Sequence, residues 1–177
     1  MNAIERVATF MQDNDLKLVT AESCTAGLIA ATLADIPGAG QLLDCAFVVY
    51  SVEAKQRCLG VPQATLDSHN LTSEAVARDM ALGAARKSPA NVAVANTGVT
   101  DATDDRIPSG TQCYAWVFKM GQADARPVVF TATKRFSGDR NSIRKASAEY
   151  ALQGVVEHYR ALREGGAEAT GRKHSGK

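Results

Sequence analysis

The chain reads as an α/β domain, a three-layer αβα sandwich in which a mixed sheet carries helices on both faces. Three observations lead there. Short apolar runs alternate with amphipathic or Ala-rich segments through the first hundred residues, the pattern of strands joined by helices. Two strand-like runs, 111–119 and 127–134, then follow one another across a Gly-containing link, which predicts a hairpin and therefore a sheet that is not all parallel. A length of 177 residues with 45% apolar content suits a single core.

Each element has its own justification. Ile4, Val7, Ala8 and Met11 recur at helical spacing and predict a first helix over roughly 2–13. Leu16 to Ala21 predicts a buried strand. Cys24 to Ala34, rich in Ala and Leu, predicts a second helix, ended by Asp35-Ile36-Pro37-Gly38. The nearly continuous apolar run Leu42 to Ser51 predicts a second buried strand. Glu53 to Leu59 predicts a short helix stopped by Gly60 and Pro62. Thr72 or Ser73 caps a helix running to about Lys87, with Glu74 in its first turn favouring the helix dipole. Asn91 to Val99 predicts the third strand. Thr111–Lys119 and Pro127–Lys134 predict two more, linked by Met120-Gly121-Gln122-Ala123-Asp124. A last helix is expected from Asp139 to Arg163, with Ile143, Ala146, Tyr150, Val155, Tyr159 and Leu162 on its packed face. One domain is thus expected over 1–163. From Glu164 the sequence is Gly-rich, charged and aperiodic, which predicts a disordered tail over 164–177.

Composition narrows the function classes. A net charge of +1 supplies no basic field, so nucleic acid is not an expected partner. No apolar run reaches the ~18 residues of a membrane span, so no membrane partner is expected. The N-terminus carries Glu5 and Arg6 and lacks a signal-peptide pattern. The four cysteines, Cys24, Cys45, Cys58 and Cys113, are scattered with no CxxC pair. That spacing argues against a zinc or disulfide framework and for a reducing, cytoplasmic home. His69, His158 and His174 share no metal-ligand spacing, and no metal is expected.

Chemistry concentrates at Val19-Thr20-Ala21-Glu22-Ser23-Cys24-Thr25-Ala26-Gly27. A serine between a strand and a helix lies in the positive field of the helix N-terminus, near backbone N–H groups able to hold an oxyanion. The plainer role for Ser23 is an N-cap. Cys24 is a rival nucleophile, since a thiol at a helix start can ionise readily, although small buried cysteines are commonly inert. Tyr50 and Lys55 flank the end of the second strand, and ligands of open α/β sheets bind beyond the carboxyl ends of strands. A desolvated lysine can serve a serine as general base; Lys55 as a solvated surface residue is the alternative. Thr97-Gly98 ends the third strand on the same side, either as a ligand contact or as a plain turn. Asp139 is a candidate N-cap. Arg140 offers a planar fork for a phosphate or carboxylate, or a structural partner for Asp139 or Glu22.

Together these pieces resemble the C-terminal domain family of the competence/damage-inducible protein CinA, which includes stand-alone nicotinamide-nucleotide amidases. The resemblance runs through Thr20–Gly27, Pro37-Gly38, Val49-Tyr50-Ser51-Val52-Glu53-Ala54-Lys55, Leu59-Gly60-Val61, Ser73–Ala77, Thr97-Gly98-Val99 and Phe136-Ser137-Gly138-Asp139-Arg140, covering about residues 5–160. It implies hydrolysis of nicotinamide mononucleotide to nicotinic acid mononucleotide and ammonia, without metal or cofactor. It implies Ser23 as nucleophile, Lys55 as base and Tyr50 as its assistant. Thr97 and Arg140 are implied as substrate-binding, with Glu22, Cys24, Thr25 and Gly98 beside them, and backbone N–H groups near Cys24 and Thr25 as oxyanion donors. It also implies a homo-oligomer. The chain departs from the family pattern in three places: Ala26 stands where a glycine is usual, His69-Asn70-Leu71-Thr72 replaces a His-Gly-Ala-Val-like stretch, and the loop after Thr97-Gly98-Val99 is altered. Where a glycine-rich Ala-Gly-Pro loop is usual, this chain has Thr100-Asp101-Ala102-Thr103-Asp104-Asp105-Arg106-Ile107-Pro108-Ser109-Gly110-Thr111. Its three acids oppose a phosphate if they face the substrate. The intact Ser23, Tyr50 and Lys55 favour an amidase. The altered loop favours a paralogue that keeps a nucleotide-binding or regulatory pocket, or a hydrolase for another amide.

Overall fold

The computed structural model describes residues 1–102, 104–121 and 125–171. The chain runs α1 (Ala3–Asp13), β1 (Leu18–Glu22), α2 (Leu28–Ala34), a 3₁₀ turn (Ala39–Gln41), β2 (Leu43–Val48), α3 (Val52–Leu59), α4 (Gln63–Ser68), α5 (Glu74–Lys87), β3 (Val92–Gly98), β4 (Thr111–Phe118), β5 (Val128–Arg135) and α6 (Arg140–Gly171). The five strands form one sheet in the order β2-β1-β3-β4-β5. β1 pairs parallel with β2 and β3, whereas β3–β4 and β4–β5 are antiparallel. The sheet is therefore mixed, as the hairpin signal predicts.

Strand alternation sorts the core into two layers. Val92 and Val94 of β3 and Tyr114, Trp116 and Phe118 of β4 face α1, α2 and α6. Ala93 and Ala95 of β3 and Cys113, Ala115 and Val117 of β4 face α3 and α5. Large side chains thus lie on the α6 face and small ones on the α5 face. The Ala-rich stripe of α5 (Ala77, Ala81, Ala84) matches the small side and lets that helix approach the sheet closely. Gly83 carries the approach further: a Cβ there would stand 2.1 Å from the Leu59 carbonyl at the end of α3. α1 buries Ile4, Val7, Ala8 and Met11, the face its periodicity predicts, and a capping box between Asn2 and Glu5 starts it.

Several boundaries differ from expectation for identifiable reasons. α2 starts at Leu28 instead of Cys24, because Ala26 (φ 49°) and Gly27 (φ 96°) turn left-handed and hold Ser23–Gly27 out of the helix. Ser23 is consequently not an N-cap. β2 is shorter than 42–51 and is an edge strand, half-exposed in alternation; its apolar run reflects one packed face only. Pro62 and Gln63 start α4, a helix too short to leave a periodic signal. α6 continues past Arg163 to Gly171, so helix occupies part of the expected tail, and 172–177 lie outside the described residues. Residues 122–124 of the hairpin link also lie outside them. Among the described residues no helix is long and apolar enough to cross a membrane.

Candidate active site

β1 connects to β2 on one side through α2 and the 3₁₀ turn. β2 connects back across β1 to β3 through α3, α4 and α5 on the opposite face. The two connections diverge at the carboxyl ends of β1 and β3, the position where open α/β sheets form a ligand crevice. The in-register pairs Glu22↔Val48 and Glu22↔Asn96 bring the three parallel strand ends level. Ser23, the Tyr50–Lys55 segment and Gly98–Thr100 meet there.

The turn that carries Ser23 is built around Glu22. This glutamate is fully buried, and its carboxylate accepts five hydrogen bonds. Oε2 takes Thr25 Oγ1 (2.7 Å), Gly27 N–H (2.9 Å) and Ile29 N–H (3.0 Å); Oε1 takes Thr20 Oγ1 (2.9 Å) and Ala30 N–H (3.0 Å). A carboxylate against the free N–H groups of α2 satisfies donors that the helix cannot, and it lies at the positive pole of the helix. Glu22 is thereby committed to the turn and has no surface for a substrate.

Asn96 holds the other side of the turn. Its carbonyl accepts from Ser23 N–H (3.0 Å) and its Oδ1 from Thr25 N–H (3.1 Å), while its Nδ2 donates to Gln112 Oε1 (2.9 Å) and Ser147 Oγ (3.2 Å). Arg144, on α6, donates Nε to the Cys24 carbonyl (3.0 Å) and Nη2 to the Thr25 carbonyl (3.1 Å). Three elements thus fix Ser23 and Cys24. Asn96, Gln112, Arg144 and Ser147 were not among the residues singled out from the sequence. Two of them carried a signal, since Asn96 and Gln112 interrupt otherwise apolar strand runs, where a buried amide requires partners.

Lys55 stands opposite Ser23. Ser51 caps α3 by accepting from Ala54 N–H, which fixes the helix start and turns Lys55 inward. The lysine is 2% exposed. Its Nζ lies 3.0 Å from Ser23 Oγ, 3.0 Å from the Val49 carbonyl and 3.1 Å from the Tyr50 carbonyl. Among the described residues no carboxylate pairs with it. Burial alone pushes its pKa below the ordinary lysine value. The surface reading of Lys55 is overturned. The aromatic ring of Tyr50 points outward, 59% exposed, and it is the main-chain carbonyl of Tyr50 that touches the lysine.

Cys24 differs from its neighbour. Burial pushes its thiol pKa upward, and the sulfur accepts from Gln112 Nε2 at 3.4 Å, with no base against it. Its backbone N–H is unpaired among the described residues, whereas that of Thr25 is committed to Asn96. One expected oxyanion donor is free and the other is not.

The remaining expected residues divide into cleft and scaffold. Cys24, Tyr50, Gly98, Val99, Thr100, Asp101 and Arg140 line a cleft of about 170 Å³. Arg140 pairs with neither Asp139 nor Glu22. It reaches Thr100 Oγ1 (2.8 Å), Asp101 Oδ2 (3.2 Å) and Tyr50 OH (3.2 Å). Asp139 caps α6 through Ser142 N–H, which holds its carboxyl below the usual range. Thr25 is fully buried in the turn. Thr97 is 3% exposed and donates to the Leu71 carbonyl at 2.9 Å, so it clasps the segment before α5 and does not face the cleft. Gly98 is required by packing, since a Cβ would meet the Gln112 amide at 2.4 Å. Within the divergent loop, Asp104 accepts from the N–H groups of Arg106 and Ile107.

The fold and cleft define a three-layer α/β domain whose site sits at the switch point of a mixed sheet. The chain belongs to the CinA C-terminal domain family, whose model matches residues 2–159. It is 35% identical over 161 residues to the nicotinamide-nucleotide amidohydrolase PncC of Escherichia coli, covering 90% of this chain and 94% of that protein. It is 38% identical over 160 residues to a putative competence-damage inducible protein of Symbiobacterium thermophilum, covering 88% of this chain. The chain spans only 37% of the length of that larger relative. The crystal structure of a competence damage-inducible protein A from Klebsiella pneumoniae superposes with a TM-score of 0.79 at 32% identity, covering 88% of this chain and 93% of that one.

Proposed function

We propose that this chain is a nicotinamide-nucleotide amidase that works through a Ser23–Lys55 dyad. The observation that carries the reading is the buried Lys55 amine held 3.0 Å from Ser23 Oγ with two carbonyls as its other partners. In the neutral amine two N–H bonds point to Val49 and Tyr50, which leaves the lone pair for the Ser23 proton. Burial favours that neutral form.

The reaction follows from this arrangement. Ser23 Oγ attacks the carboxamide carbon as its proton passes to Lys55 Nζ. The Cys24 N–H, next to the nucleophile, is placed to receive the oxyanion, and one such donor is worth roughly 3–4 kcal/mol of barrier. The C–N bond then breaks, and Lys55 returns the proton to the departing ammonia. Water gives a proton to Lys55 and attacks the Ser23 ester. The Ser23–acyl bond breaks, Ser23 recovers its proton from Lys55, and the carboxylic acid leaves and gives its own proton to the released ammonia. Tyr50 assists through its main-chain carbonyl, which orients the base.

The similarity to PncC supports the substrate class. A small nucleotide substrate and four free cysteines fit a cytoplasmic site of action. The family resemblance further supports self-association, which light scattering of the purified chain tests. Ammonia release from nicotinamide mononucleotide, with Ser23→Ala run in parallel, tests the reaction. Release that vanishes in the variant supports the dyad; no release from folded protein refutes it. One observation favours a second reading, an altered paralogue that binds a nucleotide without turnover. Arg140, the cation of the cleft, is already paired with Asp101.

A further inference from the structure

We propose that Asp101 is a specificity-determining latch that sets how the cleft treats a phosphate; this rests on the amidase reading above. Arg140 is the cation among the cleft-lining residues, and three of its five N–H donors are taken from within. Nη1 binds both Thr100 Oγ1 and Asp101 Oδ2, and Nη2 binds the Tyr50 hydroxyl. Thr100 Oγ1 also donates to Asp101 Oδ2 at 3.0 Å, so the carboxylate is held by two groups and sits where an anionic ligand oxygen would otherwise lie. The N-terminus of α6 offers no substitute, because Asp139 already occupies Ser142 N–H and the Ser142 hydroxyl.

Two consequences follow for a substrate. A mononucleotide entering this cleft of about 170 Å³ meets the Arg140–Asp101 pair at its wall. A phosphate that takes Arg140 Nη1 must displace Asp101 and accept a like charge beside it, whereas the cationic pyridinium ring of the same substrate gains from that charge. Asp101 therefore discriminates against the phosphorylated ligand relative to its unphosphorylated nucleoside. The pair is solvent-exposed, 55% at Arg140 and 77% at Asp101, so the latch is weak enough to be displaced and its effect on affinity is modest.

The test measures equilibrium binding of nicotinamide mononucleotide and of nicotinamide riboside by calorimetry, on full-length protein carrying Ser23→Ala to prevent turnover. Asp101→Asn, a near-isostere without the charge, is expected to tighten the mononucleotide about fivefold, the scale of an exposed charge pair. The riboside should stay unchanged or weaken. Adding Arg140→Gln should erase the gain. Equal shifts for both ligands, no shift, a gain that survives without Arg140, or no binding of either ligand would each overturn the latch. Asp101→Ala repeats the test with the side chain removed. The two readings fail separately. A shifted binding ratio without hydrolysis by the native chain refutes the amidase and keeps the latch. Ser23-dependent hydrolysis with an unshifted ratio does the reverse.

Discussion

Replacing Glu22 by glutamine isolates what one buried carboxylate does for the turn that carries Ser23. The shape is kept and one acceptor oxygen becomes an NH₂ group. In the better orientation the remaining oxygen keeps the three Oε2 bonds, from Thr25, Gly27 and Ile29. The NH₂ group then faces Ala30 N–H, which loses its acceptor, and Thr20 Oγ1, which can rotate to accept. An orphaned buried N–H costs about 1–3 kcal/mol, and the three retained bonds lose their charge assistance. The expected loss is about 3–5 kcal/mol, a large part of the ~5–15 kcal/mol that stabilises a domain. Equilibrium urea unfolding followed by circular dichroism measures it. With a slope of about 2 kcal/mol per molar, the midpoint should fall by roughly 1.5–2.5 M. A loss below about 1 kcal/mol would refute the assignment of Glu22 as the organiser of the α2 start.

Three further predictions concern the dyad. Ser23→Ala should reduce ammonia release by at least about a thousandfold with an unchanged unfolding midpoint, while Cys24→Ala should keep most of it; the opposite ranking would move the nucleophile to the thiol. The rate should rise with pH through the Lys55 titration, at an apparent pKa below the ordinary 10.5, because burial disfavours the charged amine. A profile that rises only above that value contradicts the desolvated base. The same shift has a sign for stability. Below the folded-state pKa the native protein bears the full cost of the buried charge. Between that pKa and 10.5 the unfolded chain holds the proton that the native one has lost, so stability gained from this residue rises with pH, by up to about 1.4 kcal/mol per unit. Comparison with Lys55→Met removes the contribution of other groups, and a parallel pH dependence of the two proteins would count against it. Gly83→Ala places a Cβ 2.1 Å from the Leu59 carbonyl, and should push α3 away from α5 and lower activity more than helix propensity, which favours alanine, would suggest.

Periodicity located the elements whose packing decides their structure. The α1 face and the strand alternation of β3 and β4 were legible because burial follows a fixed period. The apolar run of β2 predicts a buried strand, but such a run does not reveal whether a strand has two neighbours or one. α2 began late because the left-handed pair Ala26-Gly27 overrides helix propensity, and alanine gives no warning of a positive φ. At the site, Ser23 and Lys55 were legible through their spacing from strand ends and through the family resemblance. Glu22, Thr25 and Thr97 have their polar atoms taken up within the fold: Glu22 by Thr20, Thr25 and the start of α2, Thr25 by Glu22 and Asn96, and Thr97 by the distant Leu71 carbonyl. No local pattern reports that Asn96 and Arg144 clamp the same turn from opposite directions.

The edge position of β2 links activity to local opening. The serine follows β1, a strand paired on both sides, whereas both carbonyls that hold the lysine follow β2, which has a single partner. Edge segments open with less free energy than the centre of a sheet. On the proposed dyad, fraying of the Val49–Tyr50 stretch would release Lys55 from its two carbonyls while the rest of the sheet stays folded. Amide exchange should register it as weaker protection at Val49, whose N–H bonds the Glu22 carbonyl, than at Val94 in the middle of the sheet. A ligand that closes the cleft across Tyr50 would raise protection at the edge first, so binding and activation of the lysine would be one event.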